Sequence, residues 1–148
     1  MLEIKKGNLL DSDCQVLVNT INTRGAMGKG LALAFKQRYP ALYTEYRAAC
    51  AAGYIRPGDV WVWKDWAGSH WVFNISTKDD WRRPSQYQWI WAGLFNLTAC
   101  IEKYGVMSVA LPLMGCGNGG LDKDKVLILI DEFHTSYWRD ILVEVWLP

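Results

Sequence analysis

Two glycine-rich loops and one lysine carry the chemistry open to this sequence. The first loop, Gly25–Gly30 (GAMGKG), follows the stretch Val18–Arg24 (VNTINTR) and opens an apolar helix. The second, Met114–Gly120 (MGCGNGG), follows another apolar run. A strand that hands a glycine-rich loop to a helix N-terminus presents backbone N–H groups and partial positive charge, and phosphate is the usual occupant. Two such loops in 148 residues suggest one ligand with two phosphates held between them. Lys78 follows the strand Trp71–Ser76, so it projects at the strand's end, where open α/β sheets bind ligands. By spacing alone it is a clamp for a diphosphate or a solvated surface lysine. A depressed pKa would instead make it a base or a nucleophile at a sugar carbon. Asn22 offers a neutral amide for ribose hydroxyls and a water, or bonds its own backbone in a turn. Asn19 reads as a brace at the strand's end, and Thr20 and Thr23 as structural.

The elements that must position these groups can be read in order. Leu2–Lys6 alternates as an edge strand, and Val16–Asn19 is a short central strand buried on both faces. Leu31–Arg38 is a helix broken at Tyr39–Pro40, and Pro40 opens the next helix, Ala41–Ala52, which Gly53 closes. Asp59–Lys64 and His70–Ser76 form strands joined over 65–69 as a hairpin. After the polar loop Thr77–Ser85 come a long helix, Gln86–Tyr104, and a strand, Ser108–Pro112. Asp122 or Asp124 caps a helix reaching about Phe133, and Asp140–Leu147 is a last strand. The pattern predicts an α/β fold, helices on both faces of a mixed, mostly parallel sheet.

At 148 residues the chain reads as a single domain, 1–148. Net charge of +1 argues against a general polyanion binder, so any nucleic-acid contact has to come from a local patch. Four scattered cysteines, two histidines and no CxxC pair speak against structural zinc and for a reduced, cytoplasmic setting. The N-terminus is not a signal peptide, and no apolar run spans a bilayer, so no membrane partner is expected. Of nine tryptophans, Trp61, Trp63, Trp71, Trp89, Trp91 and Trp146 read as core, whereas Trp81 lies in a polar loop beside Arg82 and Arg83.

Four blocks, GNLL, VNTINTRGAMGKGLALAFK, STKDDWR with Ser85 after it, and LPLMGCGNGGLD, resemble the macrodomain family, the ADP-ribose-binding module. They are most similar to the DarG type, the antitoxin macrodomain that removes ADP-ribose from thymidine bases in DNA. The resemblance implies a three-layer α/β/α fold, no cofactor and no metal. It implies ADP-ribose along the sheet's crevice, held by Asn8, Leu9, Asn19, Thr23, Gly25, Met27, Gly28, Lys29, Gly30, Thr77, Gly115, Cys116, Gly117, Asn118, Gly119, Gly120 and Leu121. Carried onto this chain, it makes Lys78 essential for cleavage and gives Asn22 a supporting role at the distal ribose. Many hydrolytic macrodomains place an aspartate in the second glycine loop; here the matching place holds Asn118–Gly119–Gly120, a gap that the DarG pattern shares. Asp122 reads as a helix cap. Asn8 stands where many macrodomains have an aspartate for the adenine amino group, so its carbonyl would accept that bond without charge assistance. Leu9 and Leu10 pack on adenine or in the core, and Cys116 reads as a small packing residue, not a nucleophile.

A single-stranded DNA substrate calls for local positive charge and an aromatic to stack on. Arg24, Trp81, Arg82 and Arg83 are the candidates, and Trp81 serves either as that platform or as packing beneath its loop. The expected partners are ADP-ribose, ADP-ribosylated single-stranded DNA and a cognate DNA ADP-ribosyltransferase toxin. The rival readings are a non-catalytic ADP-ribose reader and a hydrolase of protein-linked or small-molecule ADP-ribose derivatives.

Overall fold

The computed structural model describes every residue except 66, 67 and 69, so part of the 65–69 hairpin connection lies outside the described residues. Strands β1 (Leu2–Lys6), β2 (Val16–Asn22), β3 (Val60–Lys64), β4 (Trp71–Lys78), β5 (Ser108–Pro112) and β6 (Leu142–Leu147) form one sheet in the order β1-β6-β5-β2-β4-β3. All neighbours pair parallel except β3, which runs antiparallel on β4 at the edge. The C-terminal ends of five strands therefore share one edge of the sheet.

Helices α1 (Gly30–Arg38) and α2 (Pro40–Ala51) cover one face, α3 (Tyr87–Tyr104) and α4 (Lys123–Tyr137) the other. Strand alternation sorts the core accordingly. Leu17 and Ile21 of β2 pack with Phe35, Leu42 and Tyr46, while Val16 and Val18 pack with Ile90, Leu94, Leu97 and Ile130. Each fully buried Leu, Ile or Phe contributes on the order of 1.5–3 kcal/mol, which offsets the entropy of fixing the loops that carry the polar residues. Tyr39, non-helical before Pro40 (φ −128°, ψ 76°), separates α1 from α2, and left-handed Gly105 (φ 61°) closes α3. Asp122 caps α4 by accepting from the Asp124 and Lys125 N–H groups, which settles its role as structural.

Two strands run further than their apolar runs. β2 continues through Asn22 and β4 through Lys78, because the two pair in parallel over Asn19–Asn74, Thr20–Ile75, Ile21–Ser76 and Asn22–Lys78, with an irregularity before Asn22. Thr20 and Asn22 are thus strand, not turn, and Lys78 is the last residue of β4. The helix expected to end near Phe133 continues to Tyr137. Trp91, expected in the core, is half exposed and stacks on Phe95, whereas Trp138 is fully buried and donates to Thr98 Oγ1.

Candidate active site

A cavity of about 1070 Å³ follows the shared strand edge. Its wall takes Gly7–Leu9 after β1, Trp146 from β6, Pro112–Leu113 and Gly115–Gly119 at and after β5, Thr20–Asn22, Ala26 and Gly28–Gly30 from β2 onward, and Thr77–Lys78 from β4. From β1 to β4 is four inter-strand steps, roughly 19 Å, room for an extended ligand.

The two glycine loops meet across the middle. A Cβ added at Gly30, which is left-handed (φ 55°), would lie 3.7 Å from Asn118 Nδ2. The N-cap of α1, Lys29, has no side-chain cap, and the helix's first residues Gly30, Leu31 and Ala32 line the cavity. Among the described residues the N–H groups of Gly117, Asn118 and Gly119 also make no intramolecular hydrogen bond. Unfilled donors on both sides make an anion clasp. Among the described residues three lysines, Lys29, Lys78 and Lys123, line the cavity, and no Asp or Glu side chain does.

Lys78 is 9% exposed, and its ammonium donates to the Asn118 carbonyl (2.9 Å) and, at 3.4 Å, to that of Trp81. Burial first, then the nearby Lys29 charge, lowers its pKa. The buried carboxylate two residues on does not pair with it. Asp80 instead takes Arg82 on both oxygens (3.0 and 2.8 Å) and Arg24 at 3.5 Å, and the Arg82 hydrogen bonds hold it well below the usual carboxylate range. Lys78 therefore combines a buried amine, a lowered pKa and, among the described residues, no carboxylate partner. That set suits a base or an amine nucleophile.

Asn22 is 7% exposed and lines the cavity, but its amide is occupied with the first loop. Oδ1 accepts from the Arg24 and Ala26 N–H groups and lies 3.0 Å from the Tyr46 hydroxyl, while Nδ2 donates to the Ala26 carbonyl. The loop-forming alternative describes its bonds, and one amide hydrogen is left over. Buried Tyr46 braces it from behind, donating to the Asn22 carbonyl at 2.7 Å.

Of the residues expected to hold the ligand, Asn8, Leu9, Gly28, Lys29, Gly30, Thr77, Gly115, Cys116, Gly117, Asn118 and Gly119 line the cavity. The rest do not. Asn19 is fully buried and donates to Asn74 on the neighbouring strand; Met27 (2% exposed) is core. Thr23 donates to the Asp79 carbonyl, and Gly25 faces α2 at Arg47 and Cys50. Gly120 lies outside the wall, and Leu121 packs into the α3/α4 core. The Asn8 side-chain oxygen Oδ1, expected to meet adenine, already accepts the Leu10 N–H in a short 3-10 turn. Cys116 is nearly buried and burial raises its pKa, which suits packing.

Arg24, Arg82 and Arg83 do not line the cavity. They are tied to Asp80 and Asp79, yet each side chain keeps about two thirds of its surface in solvent. Trp81 lines the cavity and is 51% exposed, with the Arg82 guanidinium 5.5 Å from its ring centre. It is a rim residue and does not pack beneath the loop. Sequence reasoning missed Ser85, Lys123 and Trp146 in the wall. For Trp146, the signal was its place near the end of the last parallel strand; for Lys123, its place just after the second loop.

Against known proteins, the Macro domain family matches residues 18–130. The chain is 42% identical over 149 aligned residues to the DNA ADP-ribosyl glycohydrolase of Thermus aquaticus, covering 99% of this chain and 41% of that protein. It thus spans about two fifths of that curated relative's length. The solved macrodomain of Mycobacterium tuberculosis DarG superposes with a TM-score of 0.95 at 38% identity, over all of this chain and 98% of that one. Thermosipho africanus DarTG, solved in complex with ADP-ribose, matches with a TM-score of 0.90 at 29% identity, over 99% of this chain and 42% of that one. With its three-layer α/β/α architecture, the chain belongs to the Macro domain family, among the macrodomains of DarG type.

Proposed function

We propose that this protein is a glycohydrolase that releases ADP-ribose from thymidine bases in single-stranded DNA, and that residues 1–148 act as one macrodomain. The observation that carries the reading is Lys78, a nearly buried amine without a carboxylate partner at one end of a cavity lined by lysines. The Thermus relative's name points to the same reaction. The order of the strands supports one direction for the ligand along the cavity. Leu9 and Trp146 near β1 and β6 take the adenine end, the two glycine loops the diphosphate, and Lys78 on β4 the distal ribose.

Cleavage breaks the bond between the anomeric carbon of that ribose and the base nitrogen. The bonding electrons leave with the base, which gains a proton, and water supplies hydroxide to the sugar. Lys78 acts at the anomeric carbon, through attack by its free amine followed by hydrolysis, or as the base that deprotonates the water. The oxocarbenium-like transition state gains from the nearby diphosphate, without a carboxylate pair. Asn22 holds the first loop and offers its remaining amide hydrogen to the distal ribose. The half-exposed Trp81 ring stacks on DNA at the rim, with Arg24, Arg82 and Arg83 beside it.

A reader of ADP-ribose would need the clasp but not a buried, unpaired lysine, whose desolvation is unfavourable. A cognate DNA ADP-ribosyltransferase is the proposed source of the substrate and the proposed partner, in the cytoplasm. Among the described residues no helix is long and apolar enough to cross a membrane. The test compares release of ADP-ribose from a thymidine-adducted single-stranded oligonucleotide and from an ADP-ribosylated protein. Release from the oligonucleotide alone is expected; release from the protein alone would replace the DNA reading with a protein one.

A further inference from the structure

Four buried side-chain atoms among the described residues have no hydrogen-bond partner: Asn19 Oδ1, Asp79 Oδ1, Ser85 Oγ and His134 Nε2. Only Ser85 belongs to the cavity wall. The residue is 5% exposed, and leaving a hydroxyl unbonded there is costly unless something else satisfies it. Its ordinary use before a helix would be capping, yet the N-cap of α3 is Gln86 and no α3 N–H donates to Ser85.

The position is fixed. The Ser85 N–H donates to the Gly119 carbonyl at 3.0 Å, while Lys78 donates to the adjoining Asn118 carbonyl at 2.9 Å. Lys78 and Ser85 thus hold neighbouring carbonyls of the second loop. Gly119 leaves room for the hydroxyl: an added Cβ there would lie 2.5 Å from Ser85 Oγ.

We infer that Ser85 is a further ligand-binding residue, its hydroxyl covered by Gly119 in the free protein and hydrogen-bonded to the distal ribose of ADP-ribose in the complex. This rests on the cavity holding ADP-ribose with its distal ribose at the Lys78 end, not on turnover. A small shift of the 117–119 segment, whose N–H groups are free to engage the diphosphate, uncovers the hydroxyl as the ligand seats. Ser85 has no bond to lose in the free state, so its removal separates binding from folding.

The experiment is calorimetric titration of the wild type and Ser85→Ala with ADP-ribose and with ADP, alongside thermal unfolding of both proteins without ligand. Expected are ADP-ribose binding weaker by about three- to tenfold, ADP binding unchanged and an unfolding midpoint not lowered. Unchanged ADP-ribose binding, equal weakening for ADP, or a midpoint lowered by several degrees would each overturn the assignment. If the wild type binds ADP-ribose but releases none from DNA, the glycohydrolase reading fails and the Ser85 comparison still decides this one. If the wild type binds no ADP-ribose, both fall.

Discussion

Gly119→Ala tests the second loop by adding one methyl group. Gly119 is not left-handed, so alanine meets no backbone penalty there, only a lack of space. Its Cβ would fall on the Gly115 carbonyl oxygen and 2.5 Å from Ser85 Oγ. That carbonyl accepts the Leu121 N–H at 2.9 Å, and the Gly119 carbonyl accepts the Ser85 N–H at 3.0 Å, so relieving the clash disturbs bonds that shape the loop. Overpacking of this kind costs about 1–3 kcal/mol. For 148 residues that lowers the unfolding midpoint by about 3–10 °C. The same movement shifts the Asn118 carbonyl that holds Lys78 and the N–H groups proposed to hold the diphosphate, so ADP-ribose affinity should fall about tenfold or more. Gly117→Ala is the matched control, because its Cβ meets nothing within 4 Å and its φ is not positive. It should unfold at the wild-type temperature. Circular dichroism melts and calorimetric titration read both effects. A Gly119→Ala protein that melts and binds like the wild type would refute the packing argument and the loop's role together.

Trp81→Ala should raise KM for the adducted oligonucleotide by about 5- to 100-fold while ADP-ribose affinity stays put, as one stacked base contributes about 1–3 kcal/mol; steady-state kinetics and calorimetry separate the two. Lys29→Gln removes the like charge that lowers the Lys78 pKa, so the ascending limb of the kcat–pH profile should move to higher pH. Asp80 titrates below an ordinary carboxylate in the folded protein, so its contribution to stability is present above the unfolded value and is lost as pH falls through the acid range. In Asp80→Asn, denaturant midpoints should therefore fall less steeply than in the wild type below about pH 4.

Much of the scaffold is written locally. The edge strand Leu2–Lys6, the break at Tyr39–Pro40 and the Asp122 cap each follow from a few adjacent residues, and the glycine loops fall where their spacing puts them. What escaped local reading depends on distant partners. The polar ends of β2 and β4 are strand because they pair with each other, fifty-five positions apart in sequence at Asn19 and Asn74. Asn22 serves the loop because Tyr46 and Ala26 claim its amide, and the arginines expected to contact DNA are tied by Asp79 and Asp80. Trp91 sits on a helix face that its period alone does not assign to the core or to solvent, since the outer side of α3 is itself apolar.

The central claim is that Lys78 performs the cleavage. Its most direct test is single-turnover release of ADP-ribose from a thymidine-ADP-ribosylated single-stranded oligonucleotide by the wild type and by Lys78→Ala, with ADP-ribose binding measured on both. The account predicts release by the wild type, none by the variant and binding retained in both. Equal release by both proteins would contradict it.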